Sequence, residues 1–180
     1  MKDLILGGAR SGKSTLAEKK ADDSGLAVVY VATARPGDAE MAERIRRHRE
    51  RRPQHWMVVE EPLALAAVLR AHAAPQRCLL VDCLTLWLSN LLDTSGETIS
   101  SETEIVFARE RQALLAALPA LPGHIILIGN EVGMGIVPLG ARTRRFRDEA
   151  GRLHQDLSRI CDRVTFMVAG LPWALKGTVT

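Results

Sequence analysis

Aromatic side chains are scarce in this 180-residue sequence, at 4% of the total, and a single one of them is tyrosine. Proteins that hold single-stranded nucleic acid stack bases on aromatic platforms beside a basic groove. The shortage of such residues, with no stacking motif and no basic arm, speaks against that class. Cysteine is equally sparse: Cys78, Cys83 and Cys161 are odd in number and lack the paired spacing of a metal site. All three are expected to be reduced and mostly buried. No apolar run approaches the roughly 20 residues that cross a bilayer, because Pro119, Pro122 and His124 interrupt the most apolar region. The opening Met1-Lys2-Asp3-Leu4-Ile5-Leu6 stretch ends at Gly7 and is far shorter than a secretory h-region. The expectation is a cytoplasmic protein with no membrane span.

With 47% hydrophobic and 25% charged residues, the chain can bury one core and is too short for two ordinary domains. Residues 1–180 are therefore expected to form a single domain. Apolar, β-rich runs at 3–6, 26–32, 56–59, 78–82, 124–128 and 163–168 alternate with longer segments that read as helices. Alternation of strand and helix predicts an α/β fold of three layers, a mainly parallel sheet covered on both faces. Cys78-Leu79-Leu80-Val81 and Ile125-Ile126-Leu127-Ile128 carry no polar alternation, so they are expected to be central strands. Ser101 and Glu104 have capping-box spacing and predict a helix running to about Leu118. Phe146, Ala150, Leu153, Leu157 and Ile160 share one helical face and predict core or a subunit contact.

Gly7-Gly8-Ala9-Arg10-Ser11-Gly12-Lys13-Ser14 matches the phosphate-loop pattern directly after a predicted strand and before a predicted helix. Its glycines let the backbone fold tightly around an anion, so that N–H groups and the positive end of the next helix point at phosphate oxygens. Lys13 would add a full positive charge at the β- and γ-phosphates, and the Ser14 hydroxyl can ligate Mg²⁺. Such a loop needs an acid at the end of a neighbouring buried strand, and Asp82 closes the 78–82 run. A plain strand-ending or helix-capping aspartate is the competing reading.

Basic residues crowd into one segment: Arg44, Arg46, Arg47, Arg49, Arg51 and Arg52 surround His48. A local anionic ligand or a solvated helix face would each account for them. Met41, Ile45 and His48 fall on one side of a predicted helix. A neutral imidazole there could take a phosphoryl or nucleotidyl group, helped by guanidinium groups that neutralise phosphates and hold its lone pair free. On residue chemistry alone, a packed or phosphate-binding histidine is the better reading.

Taken together, these stretches resemble the bifunctional adenosylcobinamide kinase and adenosylcobinamide-phosphate guanylyltransferase family of cobalamin biosynthesis. The resemblance rests on the phosphate loop, Tyr30-Val31-Ala32-Thr33-Ala34, the 40–53 segment around His48 and Val81-Asp82-Cys83-Leu84-Thr85. It continues through Gly129-Asn130-Glu131-Val132-Gly133-Met134-Gly135-Ile136-Val137-Pro138 and Phe146-Arg147-Asp148. It implies a P-loop NTPase fold related to RecA, guanylylation of His48, and assembly as a homo-oligomer, with trimers known. It also implies GTP contacts at Gly7, Gly8, Ala9, Arg10, Ser11, Gly12, Lys13 and Ser14, at Ala32, Thr33 and Ala34, at Arg49, Glu50, Arg51 and Arg52, and at Glu60 and Asp82. Implied substrates are adenosylcobinamide, its phosphate, and GTP or ATP, with Mg²⁺ at Ser14 and Asp82, Lys13 and His48 as catalytic groups, and no nucleic acid. Glu131 is a candidate contact to metal or substrate, with a purely structural turn the alternative. Two further readings stay open from the residues: a P-loop kinase of another small metabolite, in which His48 only binds phosphate, and a nucleic-acid-dependent ATPase suggested by the arginine cluster.

Overall fold

The computed structural model describes residues 1–35, 46, 53–92 and 100–178. Strands β1 (Lys2–Gly7), β2 (Ala27–Ala32), β3 (Met57–Glu60), β4 (Arg77–Asp82), β5 (His124–Asn130), β6 (Arg163–Val168) and β7 (Leu171–Lys176) form one sheet in the order β3-β2-β4-β5-β1-β6-β7. Every pairing is parallel except the antiparallel β6–β7 edge. Helices among the described residues include α1 (Lys13–Asp23), α2 (Leu65–His72), α3 (Leu84–Leu92), α4 (Ser101–Ala117) and α5 (Ala141–Ile160), with a 3₁₀ turn at Leu118–Ala120.

Successive residues of a strand point to opposite faces, and in the inner strands both faces are apolar. Ile5, Val28, Tyr30, Leu80, Ile126 and Ile128 line one face against Ala17 and Ala21 of α1. The small alanines let that helix lie close to the sheet. Leu4, Val29, Val31, Leu79, Val81, Ile125 and Leu127 line the other face and meet Leu65, Leu69, Trp87, Leu88, Leu114, Leu153 and Leu157 from α2, α3, α4 and α5. The result is the expected three-layer α/β arrangement, with β4 and β5 adjacent at its centre. Burying one leucine or isoleucine in such a layer contributes roughly 1.5–3 kcal/mol.

All six predicted strands form, to within two residues at each end. The seventh, β7, was not expected. The helix predicted from Ser101 is present, but its cap is Ser100, whose hydroxyl accepts the Thr103 N–H at 3.1 Å. The reason is geometric: a cap hydroxyl reaches the N–H three residues on, and Glu104 is instead paired with Arg145 of α5. In α5, Ala150, Leu153 and Leu157 are buried and Phe146 and Ile160 pack against them, so the stripe is core. The cysteines are all buried and none is in a disulfide.

At the amino edge of the sheet Asp3 is 2% exposed. It accepts from Arg163 Nε at 2.8 Å, lies 3.1 Å from His124 Nε2, and has Lys20 Nζ at 3.9 Å. Burial pushes its carboxyl up, and the bonds and charges of His124 and Arg163 outweigh that, leaving it below the ordinary carboxylate range. No helix among the described residues is long and apolar enough to cross a membrane.

Candidate active site

Parallel strands bring their carboxyl ends to one edge, and there β2, β4, β5 and β1 lie side by side. β1 delivers the phosphate loop. Gly7 turns out of the strand at φ 153°, where a Cβ would stand 2.5 Å from the Met167 carbonyl oxygen. Gly12 caps α1 in the left-handed region at φ 95°. Only glycine takes both conformations without strain. Arg10, at φ 57°, adopts the left-handed region despite its side chain, at a cost of roughly 1–2 kcal/mol. The loop is held from outside as well: Gly170 N–H, in the β6–β7 turn, donates to Ser11 O at 3.1 Å.

Lys13 opens α1 and is 6% exposed. Its ammonium reaches back over the loop, donating to Gly8 O at 2.5 Å, with Ser11 Oγ at 3.4 Å. The first turn of an α-helix directs its N–H groups and the positive end of its dipole outward along the axis, so loop, lysine and helix start together favour an anion there.

At the end of β4, Asp82 is half-buried, and its Oδ2 accepts from Tyr30 Oη at 2.7 Å. Thr33 joins the ends of β2 and β4: its hydroxyl donates to Cys83 O at 2.8 Å and accepts from Cys83 N at 2.9 Å. Asn90 of α3 donates to Thr33 O at 2.8 Å, and Glu61 N–H donates to Ala32 O at 3.0 Å, which fixes the backbone of 32–34 at this edge. Cys83 is no nucleophile, since burial and the Asp82 charge push its thiol up to about 11. Thr85 Oγ1 accepts the Asn130 N–H at 2.7 Å, tying β5 to α3.

Beyond β5, Glu131 N–H donates to Gly7 O at 2.9 Å, and its carboxylate accepts Gly133 N–H at 2.5 Å. Its side chain is thus engaged in the local turn. Beneath it, His154 is 7% exposed, and its Nδ1 has no hydrogen-bond partner among the described residues. Burial holds the His154 imidazole below its ordinary pKa, against the opposing pull of the Glu131 charge, so it sits neutral.

The structure therefore gathers the phosphate loop, residues 32–34 and Asp82 at one edge. Glu60, exposed at the end of β3, lies two strands from Asp82. His48, Arg49, Glu50, Arg51 and Arg52 fall outside the described residues. No group of three or more His, Cys, Asp or Glu side chains among the described residues could hold a metal ion. A hydroxyl on Ser14 and a carboxylate on Asp82 are nonetheless a fitting donor set for Mg²⁺, a hard cation that takes few protein ligands and completes its shell with phosphates and water. Sequence reasoning missed Tyr30, hidden in an apolar run, and the Thr33, Thr85 and Gly170 bonds, which have no local signature.

Residues 3–175 match the family described as "Cobinamide kinase / cobinamide phosphate guanyltransferase". The chain is 60% identical over 177 residues to the bifunctional adenosylcobalamin biosynthesis protein CobP of Pseudomonas aeruginosa, covering 98% of each. It is 41% identical over 179 residues to the bifunctional adenosylcobalamin biosynthesis protein CobU of Escherichia coli, covering 96% of this chain and 98% of that one. Among solved structures, the RadB recombinase superposes with a TM-score of 0.48 at 18% identity, over 92% of this chain and 73% of its own.

Proposed function

The chain belongs to the cobinamide kinase / cobinamide phosphate guanyltransferase family, and from that premise we propose how its residues divide the two reactions. Residues 1–180 work as one domain that phosphorylates the aminopropanol hydroxyl of adenosylcobinamide from ATP or GTP. The same domain then moves GMP from GTP onto adenosylcobinamide phosphate, giving adenosylcobinamide-GDP. The family match over residues 3–175 carries this reading, and the phosphate loop with Lys13 folded over it and Asp82 at its side supports the nucleotide's placement.

In the kinase step the substrate hydroxyl oxygen attacks the γ-phosphorus, the bond to the bridging oxygen breaks, the nucleoside diphosphate leaves, and the hydroxyl proton is released to solvent. Lys13 and the loop N–H groups hold the β- and γ-phosphates and neutralise their charge, so catalysis is largely positioning. Ser14 and Asp82 would hold Mg²⁺, which when bound supplies further charge neutralisation. Tyr30 orients the Asp82 carboxylate for that task. Residues 32–34, Arg49, Glu50, Arg51, Arg52 and Glu60 complete the nucleotide contacts in this reading.

In the guanylyl step His48 attacks the α-phosphorus of GTP and pyrophosphate leaves. A phosphate oxygen of adenosylcobinamide phosphate then attacks the same phosphorus and frees the histidine. The proposal extends to a cytoplasmic homo-oligomer, a trimer, with no nucleic-acid partner. GTP labelled at the α-phosphate, incubated with Mg²⁺ and the protein, should leave acid-labile, alkali-stable label after denaturation. His48→Ala should carry none. A folded, nucleotide-binding wild type that retains no label would rule out His48 as the nucleophile.

A further inference from the structure

The segment between β5 and α5 starts with a bond to the phosphate loop, from Glu131 N–H to Gly7 O, and exposes apolar side chains along the residues that follow. Met134 is 80% exposed, Ile136 97%, Val137 57% and Leu139 99%. Such a concentration in ten residues is costly to hydrate unless something covers it. Nor is the segment loosely attached. Its start is bonded to the phosphate loop through Glu131 N–H and Gly7 O at 2.9 Å, and Val132 packs against the core. Its far end is held by the Arg144 guanidinium, which donates to Pro138 O at 3.0 Å and also to Leu139 O. The backbone is pinned at both ends while the apolar side chains face outward.

We infer that Met134, Ile136, Val137 and Leu139 form the docking surface for the acceptor's corrin macrocycle, an inference that rests on the functional reading above. The acceptor must bring a hydroxyl on a short, flexible arm to a phosphorus held by the phosphate loop. Its bulk is a broad macrocycle with apolar methyl-bearing faces and a rim of neutral amides. A surface for that face has to adjoin the phosphate loop, be apolar, and hold its shape before binding. The pinned segment after β5 meets all three needs through its bond to Gly7. The phosphate gained in the kinase step would lie toward the Lys13 side.

The test compares wild type, Ile136→Ser combined with Leu139→Ser, and Ile136→Phe in steady-state phosphorylation of cobinamide, with Met57→Ser at the amino end of β3 as a control for loss of exposed apolar surface. The double serine variant should raise KM for cobinamide by about 30-fold, from lost apolar contact, with kcat and KM for the nucleotide within about twofold of wild type. Ile136→Phe, which keeps an apolar surface, should stay within a few-fold, and Met57→Ser should behave as wild type. An unchanged KM for cobinamide in an active double variant overturns the inference alone. A lower sedimentation mass in that variant, with the change in KM following dissociation, assigns the segment to contacts between copies and also overturns it. A wild-type protein that retains nucleotide but phosphorylates no cobinamide defeats the functional reading, and the inference with it.

Discussion

The phenol of Tyr30 donates to Asp82 Oδ2 at 2.7 Å across the junction of β2 and β4, with the tyrosine only 1% exposed. A buried donor of this kind fixes the direction in which the carboxylate's other oxygen faces. Tyr30→Phe should leave the fold intact and lower kcat of the kinase step by about tenfold, the share of a hydrogen bond to a charged group that reaches the transition state. Raising Mg²⁺ should restore part of the loss. Rates measured across a Mg²⁺ titration would show this, and a variant with unchanged Mg²⁺ dependence would remove Tyr30 from the positioning role.

Lys13→Ala should lower both activities by at least about 100-fold, as removal of a preorganised charge-stabilising donor does. The far-ultraviolet circular dichroism should be unchanged, since the Lys13 side chain bonds the loop itself at Gly8 O and Ser11 Oγ. Kinase activity within tenfold of wild type would contradict the phosphate-loop role.

Gly129 lies against α5: a Cβ there would stand 2.7 Å from His154 Nε2 and 3.0 Å from Leu6 Cδ2. Gly129→Ala should cost about 1–3 kcal/mol by overpacking. The same substitution in a His154→Ala background should cost less, because the nearest obstacle is gone. Thermal melts of the four proteins form a double-mutant cycle, and additive effects would show that the two positions do not meet.

Acid should destabilise the protein in two windows. His154 is held below its ordinary value of 6.5, so the unfolded chain takes up that proton first and stability falls as pH drops through 6.5 toward the folded value. Asp3 is held below 3.8, so its contribution is present above 3.8 and lost as pH falls through the lower folded value. Urea midpoints should therefore decline less between pH 7.5 and 5 in His154→Gln, and less below pH 4 in Asp3→Asn. The latter should also lose about 3–5 kcal/mol at neutral pH, because it leaves buried cations without their counter-charge.

The inner strands could be read from the chain because β1, β4 and β5 are buried on both faces and their apolar runs are unbroken. β7 escaped because Pro172 sits inside it and argues against a strand, although Leu171, Trp173 and Leu175 alternate along it as strand residues do. The phosphate loop was legible since its chemistry is local to eight consecutive residues. The Tyr30–Asp82 bond was not, because it joins residues 52 positions apart and depends on the crossover that puts β4 beside β2. Ser100 was passed over for Ser101 because two adjacent serines offer the same spacing to an acid or hydroxyl downstream.

β1 precedes the other six strands of the sheet in the chain, yet its two neighbours are β5 and β6, and the turn that steadies Ser11 ends at Gly170. During synthesis, β1 must wait for β5, which ends at Asn130, before it gains its first partner, and for β6, which ends at Val168, before it gains its second. Such long-range pairing slows folding and leaves early segments dependent on whatever shields them in the interim. A chain cut before residue 168 lacks part of the β6 wall beside the phosphate loop. The strand order thus makes the finish of the phosphate loop's surroundings one of the last events in building the chain.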